Sequence, residues 1–517
     1  MKTLKSYVYG AWHEAESGFA SLVDPSTEEV IARASSDGVD FARVLDHARD
    51  VGGPALRALT FAERGALLKA ISKLLREHRD ELLDLSRQCN GTTGGDGSFD
   101  VDGAGGTLAY YAFVGKKLGP RRFLAEGDGI QLSRGEGFWG QHVLVPRHGV
   151  AVHINAFNFP AWGLAEKAAC ALLAGMPVIT KPATATSLVA ARMVELIIAA
   201  DLLPEGSLQL ICGRTGDLLD RLGAQDVLAF TGSADTALAL RDRDNLRRTN
   251  TRINVEADSL NAAVLAPDFE AETFRLFIKD TTREMTQKAG QKCTAVRRIM
   301  VPEAELETVR EALAERLSKV VTGDPAADGV RMGPLATASQ LADAEEGVAE
   351  LVAAGAEVLF GSGRRVDGEG APAGRGFFFA PTLLQASAAA IAVHQREVFA
   401  PVATVIPYDG RAASAAALVA LGGGTLVTSV YGDDRQWVAE FLADGACTTG
   451  RVYLGSQAAA EEAPGSGVAL PQTLHGGPGR AGGGEELGGE VGLGIYLQRV
   501  ALQGSRQQVE ALAGVAE

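Results

Sequence analysis

The sequence predicts an α/β protein built on parallel sheets, and two patterns carry that reading. Between about residues 148 and 255, short apolar β-rich runs alternate with stretches of helical spacing, and the alternation resumes after Asp268. Strands alternating with helices read as βαβ units, whose strands lie parallel and whose ligands sit at strand carboxyl ends. A length of 517 residues adds a soft prior of roughly three domains.

Taken in order, residues 62–89 carry Leu67, Leu68, Ile71, Leu74 and Leu75 at helical spacing. Strands are predicted at Val150–Ile154, Val178–Thr180, Leu208–Ile211, Val227–Phe230 and Arg252–Val255. Helices fill the gaps at Ala161–Leu173, Ser187–Ala200, Gly216–Leu222 and Ser233–Arg241. A second α/β domain then opens with a helix at Phe269–Lys288, a strand at Arg298–Val301 and a helix at Glu303–Val320, followed by mixed elements to about residue 455. Ala412–Gly432, with Gly422, Gly423 and Gly424 inside it, reads as a helix, a glycine turn and a buried strand. Residues 471–494 are glycine-rich, but uneven spacing and interspersed charges favour an ordered loop over a flexible tether.

The formal net charge of −15, from 49 basic and 64 acidic residues, argues against a nucleic-acid partner, which needs a basic surface. The amino end has no apolar signal core, and the apolar segment Ala168–Thr180 is too short to span a bilayer, so no membrane association is expected. Five scattered cysteines without a CxxC pair suggest neither a disulfide framework nor a metal site, and a reducing cytoplasm is the expected location.

Four local patterns carry chemistry. Cys293 lies in Gly290-Gln291-Lys292-Cys293-Thr294-Ala295, a polar, glycine-introduced segment after a helix, where an accessible thiol could attack as thiolate. Most lone cysteines are small buried hydrophobes, the reading that fits Cys170 and Cys212 in their apolar runs. Glu256 ends a predicted strand, where a carboxylate can reach a site as general base; an exposed loop acid is the alternative. Asn158, between a strand and a helix, could donate its amide to an oxyanion or be an ordinary turn residue. Lys181 also follows a strand and could bind ribose or phosphate oxygens, or be a solvated surface lysine.

In the order Asn158, Lys181, Phe230-Thr231-Gly232-Ser233, Glu256, Cys293, Glu397-Val398-Phe399, these segments together resemble the aldehyde dehydrogenase superfamily over nearly the whole chain. The resemblance implies that family's fold. A Rossmann-like cofactor domain would take residues 1–121 and 148–255, an α/β catalytic domain 256–470, and a small β oligomerisation arm 122–147 and 488–517. It implies Cys293 as nucleophile, Asn158 with the Cys293 N–H as oxyanion hole, and Glu256 as the base that activates water. Lys181 would contact the adenosine ribose, Gly232 and Ser233 would open the helix facing the diphosphate, and Glu397 and Phe399 would hold the nicotinamide ribose and ring. Ala156, Phe157, Ala183, Thr184, Phe230, Thr231 and Ala257 complete the implied cofactor contacts.

Departures from the family pattern refine the expectation. Thr184 stands where NAD-specific relatives often carry glutamate; a hydroxyl can donate to a 2′-phosphate that a carboxylate would repel, so NADP is expected, with NAD at lower preference. Ala237 replaces a common glycine, Phe157 a frequent tryptophan, and Gly455-Ser456 stands where asparagine is usual. The loop Leu470–Arg480 and the glycines to Gly489 resemble the dehydrogenases of aerobic benzoate and phenylacetate breakdown, which act on coenzyme A-linked semialdehydes. The phenylacetate members carry a fused hydratase domain, and a chain ending at Glu517 leaves no room for one, so the benzoate branch is expected. Glu256 favours a free acid over an acyl-CoA product, because relatives that form acyl-CoA generally lack it. A dehydrogenase for simple free aldehydes and a catalytically silent binding protein are the alternatives. Arg451 and Arg480 lie near the variable loops, and a homodimer or dimer of dimers is the expected assembly.

Overall fold

The computed structural model describes residues 1–135 and 137–516; Glu136 and Glu517, both within the expected arm, lie outside the described residues. Two seven-stranded sheets organise the chain. In the first, the strands Arg252–Glu256, Val227–Thr231, Ala151–Ile154, Val178–Lys181 and Leu208–Leu210 lie side by side in that order, all parallel. Their apolar, β-branched sequences suit positions buried on both faces. All five expected strands are present, each shifted by one residue at most at either end. An amino-terminal hairpin, Ser6–Val8 and Ala11–His13, extends the sheet antiparallel beyond Leu208–Leu210.

The chain leaves Ala151–Ile154 toward Val178–Lys181 on one side and returns to Val227–Thr231 on the other. Loops at such a reversal diverge and open a crevice at the strand carboxyl ends. Residues 155–158 and 232–233 follow the two strands at this point.

The second sheet runs Glu357–Phe360, Thr382–Gln385, Val402–Tyr408, Arg298–Pro302, Ala262–Leu265, Thr425–Tyr431, Thr449–Gly455, parallel except for its first strand. A separate antiparallel sheet joins Leu124–Gln131, Trp139–Pro146 and Leu497–Gly504, and the helix Arg506–Ala516 follows it. Among the described residues, no helix is long and apolar enough to cross a membrane.

Several helices differ from expectation. Residues 62–89 form two helices, Phe61–Glu77 and Arg79–Asn90, with His78 out of helical geometry between them. The first is fixed by a capping box between Thr60 and Glu63. Gly216–Leu222 keeps only the short turn Leu218–Arg221, since Gly216 sits at φ +47°. The helix expected at Phe269–Lys288 spans Ala271–Thr286, because Lys288 and Ala289 take left-handed backbone. The helix expected at Glu303–Val320 begins as a tight turn and is α-helical over Leu306–Leu317.

A helix of 25 residues, Gly94–Leu118, has no clear signature in its glycine-rich sequence. Glycine weakens a helix unless packing requires it. Packing requires Gly65 and Gly115, which touch where this helix crosses Phe61–Glu77, and a methyl on either would meet backbone. From the same helix, Asp100 accepts from the Ala161 and Trp162 N–H groups at 3.2 and 2.8 Å and caps the helix Trp162–Ala174 beneath the crevice.

Candidate active site

Cys293 lies between the helix Ala271–Thr286 and the strand Arg298–Pro302, on a loop held from several directions. Lys288, Ala289 and Gly290 all have positive φ (54°, 51° and 68°), a strained path for the first two, which carry side chains. The fastenings account for its persistence. Asp96 accepts the Lys288 N–H at 3.1 Å, and Arg297 donates to the Gly290 and Lys292 carbonyls at 2.8 and 3.3 Å. Asn261 donates to the Cys293 and Ala295 carbonyls at 2.7 and 3.0 Å. The fully buried Lys292 ammonium pairs with Glu284 and donates to Gln287 at 2.8 Å. Cys293 itself stays partly accessible, whereas Cys89, Cys170 and Cys212 are buried and their thiols are pushed up to about 12 by burial.

Glu256 ends the strand Arg252–Glu256 and is buried. His475, from the short strand Leu474–Gly476, lies beside both it and the thiol. Its Nε2 is 3.3 Å from Glu256 Oε1 and 3.8 Å from Cys293 Sγ. One polar atom from each of the three lies within 4.8 Å of the others. The His475 ring stacks on Trp162, centroids 6.0 Å apart. A narrow cavity of about 20 Å³ is lined by Cys293, Glu256, Asn158, His475, Trp162 and Ala156, among others. That is room for about one water. Asn158 is buried there, and its carbonyl accepts from Asn90 Nδ2 at 3.2 Å.

Burial alone would raise the Glu256 carboxylate, but His475 and then Lys167 outweigh it and hold the group well below the usual carboxylate range. For His475, burial favours the neutral ring, and Glu256 reverses this and raises it. The Cys293 thiol is raised by burial first and by the Glu256 charge second. Behind these groups, Lys167 Nζ bridges Glu166 Oε1 at 2.7 Å and Glu486 Oε2 at 3.1 Å, all three buried. Glu486 also accepts from Asn254 Nδ2 at 3.0 Å.

The residues expected to contact a cofactor are spread over several elements. Lys181 ends its strand, and Ala183 and Thr184 follow. A cavity of about 690 Å³ is lined by Thr184, Arg214, Ser35, Ser36, Asp37 and neighbouring residues. Ser233 caps the helix Ala234–Arg241, with Gly232 directly over the Phe230 ring. A second cavity of about 430 Å³ lies beside that helix and includes Ala237, Arg241, Ala257, Gly422, Gly423 and Arg480. Glu397 accepts the Ser259 N–H at 3.2 Å, faces Arg297 at 3.4 Å, and is pushed up to about 7 by burial. Phe399 meets Phe157 edge-on at 5.8 Å. Thr231 ends its strand with a buried hydroxyl that has no hydrogen-bond partner.

The sequence matches the aldehyde dehydrogenase family over residues 12–496. The chain belongs to the aldehyde dehydrogenase family. It is 47% identical over 480 residues to 3,4-dehydroadipyl-CoA semialdehyde dehydrogenase from Aromatoleum evansii, covering 92% of this chain and 93% of that protein. A putative aldehyde dehydrogenase of Staphylococcus aureus (strain USA300) is 27% identical over 413 residues, 78% of this chain and 81% of its own length. Among solved structures, betaine aldehyde dehydrogenase from Staphylococcus aureus in complex with NAD+ superposes with a TM-score of 0.84 at 25% identity, covering 97% of this chain and 95% of that one. This aldehyde dehydrogenase is therefore an NAD(P)-dependent enzyme that oxidises an aldehyde.

Some site residues escape sequence reading. His475 lies in the loop that departs from the family pattern, and that departure was its only signal. Asp258, two residues past Glu256, accepts the Ala234 N–H at 2.9 Å and lies 3.6 Å from Arg480, so a side chain already occupies one donor at the helix start. Arg214 faces the cavity of Thr184, and no spacing in the sequence ties the two together.

Proposed function

We propose that the enzyme oxidises 3,4-dehydroadipyl-CoA semialdehyde to the free acid with NADP, through a thioester on Cys293. The observation that carries the chemistry is the single narrow cavity shared by Cys293, Glu256 and Asn158. The 47% identity to the Aromatoleum evansii enzyme supports the substrate. Cys293 attacks the aldehyde carbon, and the Asn158 amide with the Cys293 N–H stabilises the oxyanion. A bound nicotinamide supplies the hydride acceptor. Glu256 then takes a proton from the water that hydrolyses the thioester, and Cys293 leaves as thiolate.

The crevice suits a dinucleotide. Thr184, Ser35 and Ser36 hydroxyls and the Arg214 guanidinium favour a phosphorylated ribose, although the Asp37 carboxylate shares that cavity. Lys181 and Ala183 would lie at the ribose; Gly232, Ser233 and Ala257 at the diphosphate; and Ala156, Phe157, Phe230, Thr231, Glu397 and Phe399 toward the nicotinamide. Residues 1–121 and 148–255 would form the cofactor domain, 256–470 the catalytic domain, and 122–147 with 488–517 an arm joining two or four copies. Five unpaired cysteines suit the expected cytoplasm.

Steady-state rates on coenzyme A-linked and free semialdehydes, with the product identified as acid or thioester, test the substrate. The expected outcome is a kcat/KM at least tenfold higher for the CoA-linked aldehyde (about 1.4 kcal/mol), an acid product and no turnover by Cys293→Ala. Comparable kcat/KM for simple aldehydes would make it a general dehydrogenase. For the cofactor, Thr184→Glu should lower the NADP:NAD preference at least tenfold; an unchanged ratio removes Thr184 as selector.

A further inference from the structure

A thiolate at Cys293 faces an electrostatic difficulty. Beside it stands Glu256, a buried carboxylate within 4.8 Å. Two anions that close in a narrow buried cavity repel strongly, and the thiol would stay protonated unless a cation faces both. His475 flanks both groups: its Nε2 faces the sulfur at 3.8 Å and the carboxylate at 3.3 Å.

We propose that His475 accepts the Cys293 thiol proton and, as imidazolium, holds the thiolate and the Glu256 carboxylate side by side. This rests on the reading of Cys293 as nucleophile and Glu256 as base. The S–H bond breaks, its proton goes to Nε2, and the electron pair stays on sulfur. The same N–H then faces both anions. When the thiolate is consumed, the imidazolium remains paired with Glu256, and when hydrolysis releases sulfur as thiolate, its counter-ion is in place. His475 therefore keeps its proton from one turnover to the next.

The surroundings suit a charged ring. Glu166 faces it from the helix Trp162–Ala174 with Lys167 paired to that carboxylate, Glu486 lies opposite in the paired strand, and Arg451 faces it from Thr449–Gly455. The carboxylates Glu256 and Glu166 favour the imidazolium, whereas Arg451 and burial oppose it. Stacking on Trp162 fixes the ring plane, so the contact to sulfur does not depend on a mobile side chain. The arrangement differs from a nucleophile–histidine–acid relay, where the acid binds the far nitrogen. Here one nitrogen serves both partners, so His475 is a shared counter-ion as well as a base.

The test is the pH dependence of Cys293 alkylation by iodoacetamide in cofactor-free full-length enzyme, read on the Cys293 peptide so that exposed Cys447 does not interfere. In the wild type, burial and Glu256 raise the thiol, and the His475 imidazolium should offset part of that rise. His475→Phe, which keeps the stacking, and His475→Gln, which keeps a donor, should both raise the midpoint by about one unit or more and slow alkylation at neutral pH about tenfold. Both variants also free Glu256 from the imidazolium, so the acid limb of thioester hydrolysis, followed with 4-nitrophenyl acetate, should move to higher pH. An unchanged midpoint in folded variants overturns the proposal, as does an acid limb of hydrolysis that does not move. Retained dehydrogenase activity in Cys293→Ala would instead overturn the proposed function.

Discussion

Lys167 shows what a single buried charge does here. Its ammonium lies between Glu166 and Glu486, all three out of water. A buried pair adds little over an apolar replacement of both partners, yet removing one partner strands the other. Lys167→Met should therefore cost about 3–5 kcal/mol, seen as a lower melting temperature; Lys167→Met with Glu486→Gln should recover part of it. His153 gives a pH counterpart. Buried against the Tyr496 hydroxyl at 3.2 Å, it is pushed down to about 3 by burial and then by Lys167. Its folded value lies below the unfolded one of about 6.5, so at lower pH the unfolded chain takes a proton that the folded ring refuses. Stability from this group is complete above about pH 6.5 and falls from there toward pH 3, by about 2 kcal/mol at pH 5. His153→Gln should flatten the melting temperature between pH 7 and 5 relative to the wild type; parallel curves would remove His153 as the source.

At the scale of elements, the loop from Gln287 to Cys293 is where backbone geometry and chemistry meet. Gly290 combines φ +68° with a position where a methyl would collide with the Ala400 carbonyl. Gly290→Ala must displace the loop, and a shift of about 1 Å at a reacting atom can cost a hundredfold. The expected result is a kcat lower by about that factor with unchanged NADP affinity, measured by cofactor fluorescence, because the Thr184 cavity lies on other elements. Loss of both together would mean the loop supports the whole crevice. The strands of the first sheet were legible because fully buried parallel strands need unbroken apolar runs such as Val227–Phe230, a purely local signal. The same holds for the cysteine segment and for Glu256, which sit in short recognisable strings. Gly94–Leu118 was not legible, since its glycines make sense only against Phe61–Glu77. His475 was not legible as a site residue for a related reason: its contact to Cys293 joins segments 182 residues apart in sequence.

At the scale of the whole molecule, the antiparallel sheet of Leu124–Gln131, Trp139–Pro146 and Leu497–Gly504 is separate from the two larger ones. Among the described residues its strand Leu497–Gly504 pairs on one side only, and an unpaired strand edge is a template for another chain. Large apolar side chains are exposed on and beside the sheet: Ile130 at 54%, Leu132 at 43%, Phe138 at 42% and Val500 at 38%. In a chain of net charge −15, whose long-range self-repulsion disfavours chance association, apolar side chains exposed on both faces of one sheet read as a contact for a second copy. A stable interface needs about 1,000 Å² or more, which the sheet and the following helix Arg506–Ala516 are of a size to supply. Light scattering on the purified protein should then give two or four times the chain mass of 53.9 kDa. Ile130→Lys with Val500→Lys should shift it toward one, since both side chains point to solvent and their replacement leaves the cores of the large sheets intact. If the mass stays unchanged while the double variant keeps its melting temperature, the copies meet elsewhere; if the wild type is already monomeric, the exposed cluster has another purpose.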